Sequence, residues 1–263
     1  MQMNENDYFV KVPNEYIRCS LADKHGVSNK FFVVYILINR YRTFDNYSVI
    51  TIDKILELYG IKKTKHKPKA FKEIQEVLRY MVSNNMIEVS RDIDSLNYDT
   101  GIFIKINTNN FDAEKNFSKI TYSQFYNIFS IDSEKNNKEN ILVVFLYVNS
   151  FIGVRPKDGN GNETIDHPER YPEAFYKSIR SMSDDLSMSK NTICKYLDIL
   201  SDTNNHLLVK KEINKSFSDI SKNKLIPNIY VLNNDRQNQE IEWATNNLIK
   251  MYCKNKNNKK SRE

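Results

Sequence analysis

Two eleven-residue segments constrain what this chain can fold into: "FFVVYILINRY" (Phe31–Tyr41) and "ILVVFLYVNSF" (Ile141–Phe151), one in each half. Each is apolar on nearly every side. Such a segment suits a helix buried within other elements rather than one lying on a surface. Both are too short for the roughly 18–20 apolar residues that a membrane span requires.

The surroundings of the two segments repeat as well. A polar-aromatic lead-in precedes each, "KVPNEYI" (Lys11–Ile17) and "KITYSQFYNIF" (Lys119–Phe129). Two further helical patterns and two β-like segments follow each. In the first half the helices are Thr51–Gly60, with Thr51 as N-cap and Gly60 as terminator, and Pro68–Asn84, with the proline in the first turn. The strands are Met86–Ile93 and Gly101–Asn107. In the second half the helices lie within "SMSDDLSMSKNTICKYLDIL" (Ser181–Leu200), and the strands are His206–Ile213 and Asn228–Asn233. Three helices followed by two strands is the order of a winged helix, and here it occurs twice.

The expected fold class is therefore α+β, mainly α, with two winged helix-turn-helix domains in tandem. Domain one is residues 1–112. Domain two is residues 113–235, with an insertion at 153–175. Residues 236–263 form a C-terminal helix with Ile241, Ala244, Leu248 and Met251 at helical spacing, then a basic tail expected to be disordered. Only six glycines and six prolines occur in 263 residues, which favours helices over a many-turned sandwich. Met1–Asp7 has no apolar stretch typical of a secretion signal. Cys19, Cys194 and Cys253 make neither a disulfide framework nor a zinc pattern. A cytoplasmic protein with reduced cysteines, free of membrane, is expected.

The net charge of +6 suits a nucleic acid without requiring one. In the second half, Ser189 is a natural N-cap, and Ile193, Leu197 and Leu200 form a buried stripe, with Met182 and Leu186 packing from the preceding helix. Asn191, Thr192 and Lys195 then point outward from the N-terminal half of the helix, the part that enters a major groove. Asn pairs with adenine, Lys with guanine, and Thr meets a thymine methyl or a phosphate. Amides at Lys190 and Asn191 can hold a phosphate. Ser181 or Ser183 is expected to start the helix before the turn. That turn often carries a glycine, and "SMS" (Ser187–Ser189) takes its place.

In the first half, "IKKTKHKPKAFK" (Ile61–Lys72) brings together Lys62, Lys63, Lys65, Lys67, Lys69 and Lys72 with no acid. A single-sign run needs a compensating partner, and phosphates would supply one. Without Asn or Gln beside them, these lysines suggest positioning more than base reading. Arg91 and Lys215, Lys222 and Lys224 are the wing cations.

Other chemistries fit less well. "DGNGNETIDHPE" (Asp158–Glu169) places oxygen ligands at EF-hand positions, but Glu163 stands where glycine is needed, and Pro156 and Pro168 interrupt the flanking helices. No phosphate-cradling NTPase motif and no His-hydrophobic-His nickase cluster occurs, and four scattered histidines favour no His-based active site. No catalytic residue, metal or cofactor is expected.

The tandem plan, "MSDDLSMSKNTICKYLDIL" and the "VPNEYI" lead-in resemble the winged-helix replication initiators of plasmids and mobile elements of low-GC Gram-positive bacteria. The resemblance spans Lys11 to Asn233. It implies a non-enzymatic, sequence-specific binder of double-stranded DNA, with Ser189, Lys190, Asn191, Thr192 and Lys195 on the recognition helix. The Lys62–Lys72 run matches by position only. Host replication proteins and a homodimer are the further partners it implies. A transcriptional regulator of the same fold, or a protein-binding scaffold docking through the helix around Trp243, are the alternatives.

Overall fold

The computed structural model describes residues 8–132, 137–152, 173–213 and 227–260, with side chains described as far as Met251. Within these residues the protein is α+β and mainly helical. Its compact units are Met1–Leu146 with Asp185–Ser187, and Tyr147–Asp184 with Met188–Glu263.

The first unit runs β1 (Phe9–Pro13), α1 (Asn14–Ile17), α2 (Leu21–His25), α3 (Lys30–Arg40), β2 (Tyr47–Ile50), α4 (Ile52–Leu58), α5 (Lys69–Ser83), β3 (Ile87–Val89) and β4 (Ile102–Ile106). It continues through α6 (Thr108–Phe111), β5 (Phe117–Thr121) and α7 (Tyr122–Ser130) into α8 (Lys138–Ile152), which the boundary between units cuts.

The first apolar segment is α3, buried without interruption from Lys30 to Ile38. The Tyr35 hydroxyl lies 2.8 Å from the Phe111 carbonyl and 3.0 Å from the Lys11 carbonyl, which ties α3 to α6 and β1. Thr51 caps α4 by accepting from the Lys54 amide, and Gly60 ends it with φ +67°, a conformation that suits glycine. In α5 the apolar positions Phe71, Ile74, Leu78 and Met81 are all buried. Pro68 is the N-cap of α5 rather than a residue of its first turn.

Strands β2, β4 and β3 form one antiparallel sheet in that order, with Val49 opposite Phe103 and Ile87 opposite Ile106. The sequence reading contained no β2: four residues squeezed between a turn and an N-cap give too short a period to recognise. It also missed β1 and β5, which pair antiparallel with Lys11 opposite Lys119. The two lead-ins thus bind each other. The pairing is a local two-fold, because Phe9 meets Thr121 while Phe117 meets Pro13.

The same two-fold recurs at the starts of α3 and α8. With Phe31 aligned on Ile141, Asn29 corresponds to Glu139 and Lys30 to Asn140. The observed pairs are Asn29 donating to Asn140 at 2.8 Å and Lys30 donating to Glu139 at 2.6 Å. The expected boundary at 112/113 therefore separates strands that pair, whereas the compact division lies at Leu146/Tyr147.

The second unit carries α9 (Ile179–Leu186, whose last two residues group with the first unit), α10 (Lys190–Leu200), β6 (Leu208–Lys211), β7 (Ile229–Leu232) and α11 (Gln237–Lys260). Strands β6 and β7 pair antiparallel. Phe175, ahead of α9, bridges to Tyr230 of β7 through two 2.8 Å backbone hydrogen bonds. This repeats the order of the first sheet, with the hairpin's second strand in the middle. Tyr230 faces Phe175, while Ile229 and Val231 pack on Ala244 and Leu248 of α11. The α11 stripe stops short of expectation: Ile241 is half-buried and Met251 is 52% exposed. Residues 253–260 continue α11, where a disordered tail was expected; 261–263 lie outside the described residues.

Candidate nucleic-acid interface

The α9–α10 turn is built by short polar side chains. Ser178 caps the start of α9, accepting from the Ser181 amide at 3.1 Å, in place of Ser181 or Ser183. The Ser183 hydroxyl instead donates to the Met188 carbonyl at 2.6 Å and closes the end of the helix. Between them Ser187 takes φ +51°, the left-handed conformation that glycine supplies in many such turns. Ser189 then caps α10, accepting from the Thr192 amide at 3.1 Å.

One side of α10 is buried at Ile193, Tyr196, Leu197 and Leu200. Lys190, Asn191 and Lys195 are exposed on the opposite side, together with Cys194, which the sequence reading passed over. Thr192 is half-buried and its hydroxyl sits 2.7 Å from that of Ser189, so this side chain serves the cap. The amides of Lys190 and Asn191 fall in the first turn, where no carbonyl of the same helix can reach them. Asp198, also exposed, pairs with Lys210 of β6 at 2.9 Å. That hydrogen bond holds the Lys210 ammonium above its ordinary pKa. The wing lysines Lys215, Lys222 and Lys224 and the Asp158–Glu169 loop lie outside the described residues. Among the described residues no group of three His, Cys, Asp or Glu could hold a metal ion.

The lysine run of the first unit looks different once folded. Lys62, Lys63, Lys65, Lys69 and Lys72 are all exposed. Acids reach two of them: Lys63 pairs with Asp53 at 3.0 Å and with Asp99, both from outside the run, and Lys69 pairs with Glu73 at 3.3 Å one turn further along α5. Lys67 donates to the Leu96 carbonyl at 2.7 Å. Among the described residues Lys62, Lys65 and Lys72 form no ion pair. Arg91 is exposed, but its β3–β4 connector also carries Asp92, Asp94 and Asp99.

The first turn of α5 is anchored from below. Lys30, 9% exposed at its side chain, binds Glu73 at 2.9 Å and Glu139 at 2.6 Å, and lies 5.2 Å from the centre of the Tyr59 ring. Burial alone would lower the Lys30 pKa, but its bonds to Glu139 and Glu73 carry it above the ordinary value. Sequence inspection missed this cluster, since its members come from three separate helices.

Compared with family models and with curated proteins, the chain matches none. The functional reading therefore rests on the geometry of α10 and of the α5 entrance.

Proposed function

We propose that this protein binds double-stranded DNA sequence-specifically through tandem winged helices, in the role of a replication initiator of a plasmid or mobile element. One observation carries the reading. A helix buried along one side presents Lys190, Asn191 and Lys195 to solvent from its N-terminal turns, beside a tight capped turn. Asn and Lys are base-reading side chains, and the first-turn amides suit a phosphate. Lys62, Lys65 and Lys72 add phosphate contacts that position without reading sequence. The repeated order of helix, helix, helix and hairpin, with β2 in the first copy and the Phe175 bridge in the second pairing to the hairpin's second strand, supports two such modules.

A gel shift across fragments of the source replicon, run as a salt series, tests this. Retarded fragments should contain repeated sites, and log affinity should fall linearly with log salt. Asn191→Ala and Lys195→Ala should each lower discrimination between sites by about 1–3 kcal/mol. A single promoter fragment retarded alone would assign a transcriptional regulator. No salt-sensitive shift with any duplex would refute DNA binding.

A further inference from the structure

The outer face of the β1–β5 ribbon carries cations beside aromatic rings. Val10, Val12 and Ile120 bury the inner face. On the outer face Lys11 and Lys119 stand directly opposite each other, both exposed. Like charges in register weaken a strand pair. Each ammonium lies over a ring of the opposite strand: Lys119 is 4.5 Å from the centre of Phe9, and Lys11 is 4.8 Å from that of Phe117. The fold thus holds two cations side by side on one exposed face.

A cleft of about 780 Å³ opens beside the ribbon, lined by Tyr8, Phe9, Lys11, Phe44 and Tyr122 among others. Three of its aromatic side chains face solvent: Tyr8 is 52% exposed, Phe9 43% and Phe44 102%. Arg40 stacks on Tyr122 with its guanidinium 4.6 Å from the ring centre. Among the described residues two carboxylates reach the cleft, Asp112 and Glu114. Asp112 is already bound at both oxygens by Arg42, at 2.6 and 2.9 Å, which leaves Glu114.

Exposed rings next to paired cations match a polyanion whose bases are free to stack. A duplex does not qualify, because its base faces are already stacked on one another. We propose that this cleft and ribbon bind single-stranded nucleic acid. Unpaired bases stack on Phe44, Phe9 and Tyr8, and the backbone phosphates lie at Lys11 and Lys119. The site shares no residue with α10 and does not depend on the duplex reading.

The test is anisotropy of labelled oligothymidylate and oligouridylate titrated with the full chain over a range of salt. Both should bind, and the tighter of the two identifies DNA or RNA as the source. Phe44→Ala, at a fully exposed position, should weaken binding about tenfold. Lys11→Ala should reduce the salt slope by about 0.7. The Asn191→Ala/Lys195→Ala double variant should bind these oligomers as the parent does. The inference is overturned if neither oligomer binds, if Phe44→Ala and Lys11→Ala change nothing, or if the α10 double variant abolishes binding. Loss of duplex shifts with oligothymidylate binding intact would sink the duplex proposal alone, and the reverse result would sink this one alone.

Discussion

Lys30 shows how one side chain can hold three helices. It starts α3, Glu73 sits in α5 and Glu139 in α8, and all three meet where water is largely excluded. A buried ion cluster adds little net stability when intact, but deleting one partner strands the others. Lys30→Met leaves two carboxylates facing each other without a cation. It should cost about 3–5 kcal/mol, read as a lower urea midpoint. His206 offers the opposite case. It is exposed, adopts φ +48° and uses its carbonyl, not its ring, to accept from Asn233. Asn tolerates the left-handed region better than His does. His206→Asn should therefore stabilise the β6 approach by about 0.5–1 kcal/mol, measured as a rise in Tm.

For the elements, the comparison between α5 and α10 matters most. Both have a fully buried stripe and a cationic N-terminal end. Among the described residues Lys190 and Lys195 of α10 form no ion pair, whereas at the α5 entrance Glu73 already holds Lys69, and Asp53 with Asp99 holds Lys63. An ion-paired lysine must give up its carboxylate before it can neutralise a phosphate. Lys65→Ala should then reduce duplex affinity more than Lys69→Ala, with each effect uniform across sequences in a quantitative gel shift. Equal losses would mean that the Lys69–Glu73 pair, 90% exposed on the lysine side, opens freely in solution.

The ionisation of the Lys30 cluster sets a pH dependence for the whole molecule. Burial would raise the Glu73 pKa, but the Lys30 hydrogen bond and charge, with Lys69 beside them, bring it below the ordinary value of 4.5. A carboxyl with a lower pKa folded than unfolded binds fewer protons when folded. Its stabilisation is complete above pH 4.5 and disappears as pH falls through the folded value. Lys30 runs the other way: its contribution holds below its ordinary 10.5 and is lost as pH rises past its raised folded value. Urea midpoints followed downward from neutral pH should drop below about pH 4.5, and Glu73→Gln should flatten that limb. An unchanged acid limb in the variant would place the acid sensitivity elsewhere in the protein.

Local pattern alone located α3 and α8, the α10 stripe with its Ser189 cap, and the alternating β4, because each is a run whose own periodicity declares which side is buried. It also marked Asn191 and Lys195, whose exposure follows from where Ile193 and Leu197 point. The β1–β5 pairing, the Phe175–Tyr230 bridge and the division inside α8 came only with the folded chain. So did the pairing of Lys63 with Asp53 and Asp99 and the assembly of Lys30, Glu73 and Glu139. Strand pairing depends on hydrogen bonds to a partner far along the chain, and the charge a lysine presents depends on which acids the fold brings to it. Neither quantity is a property of a local stretch of residues, so tertiary contacts alone decide them.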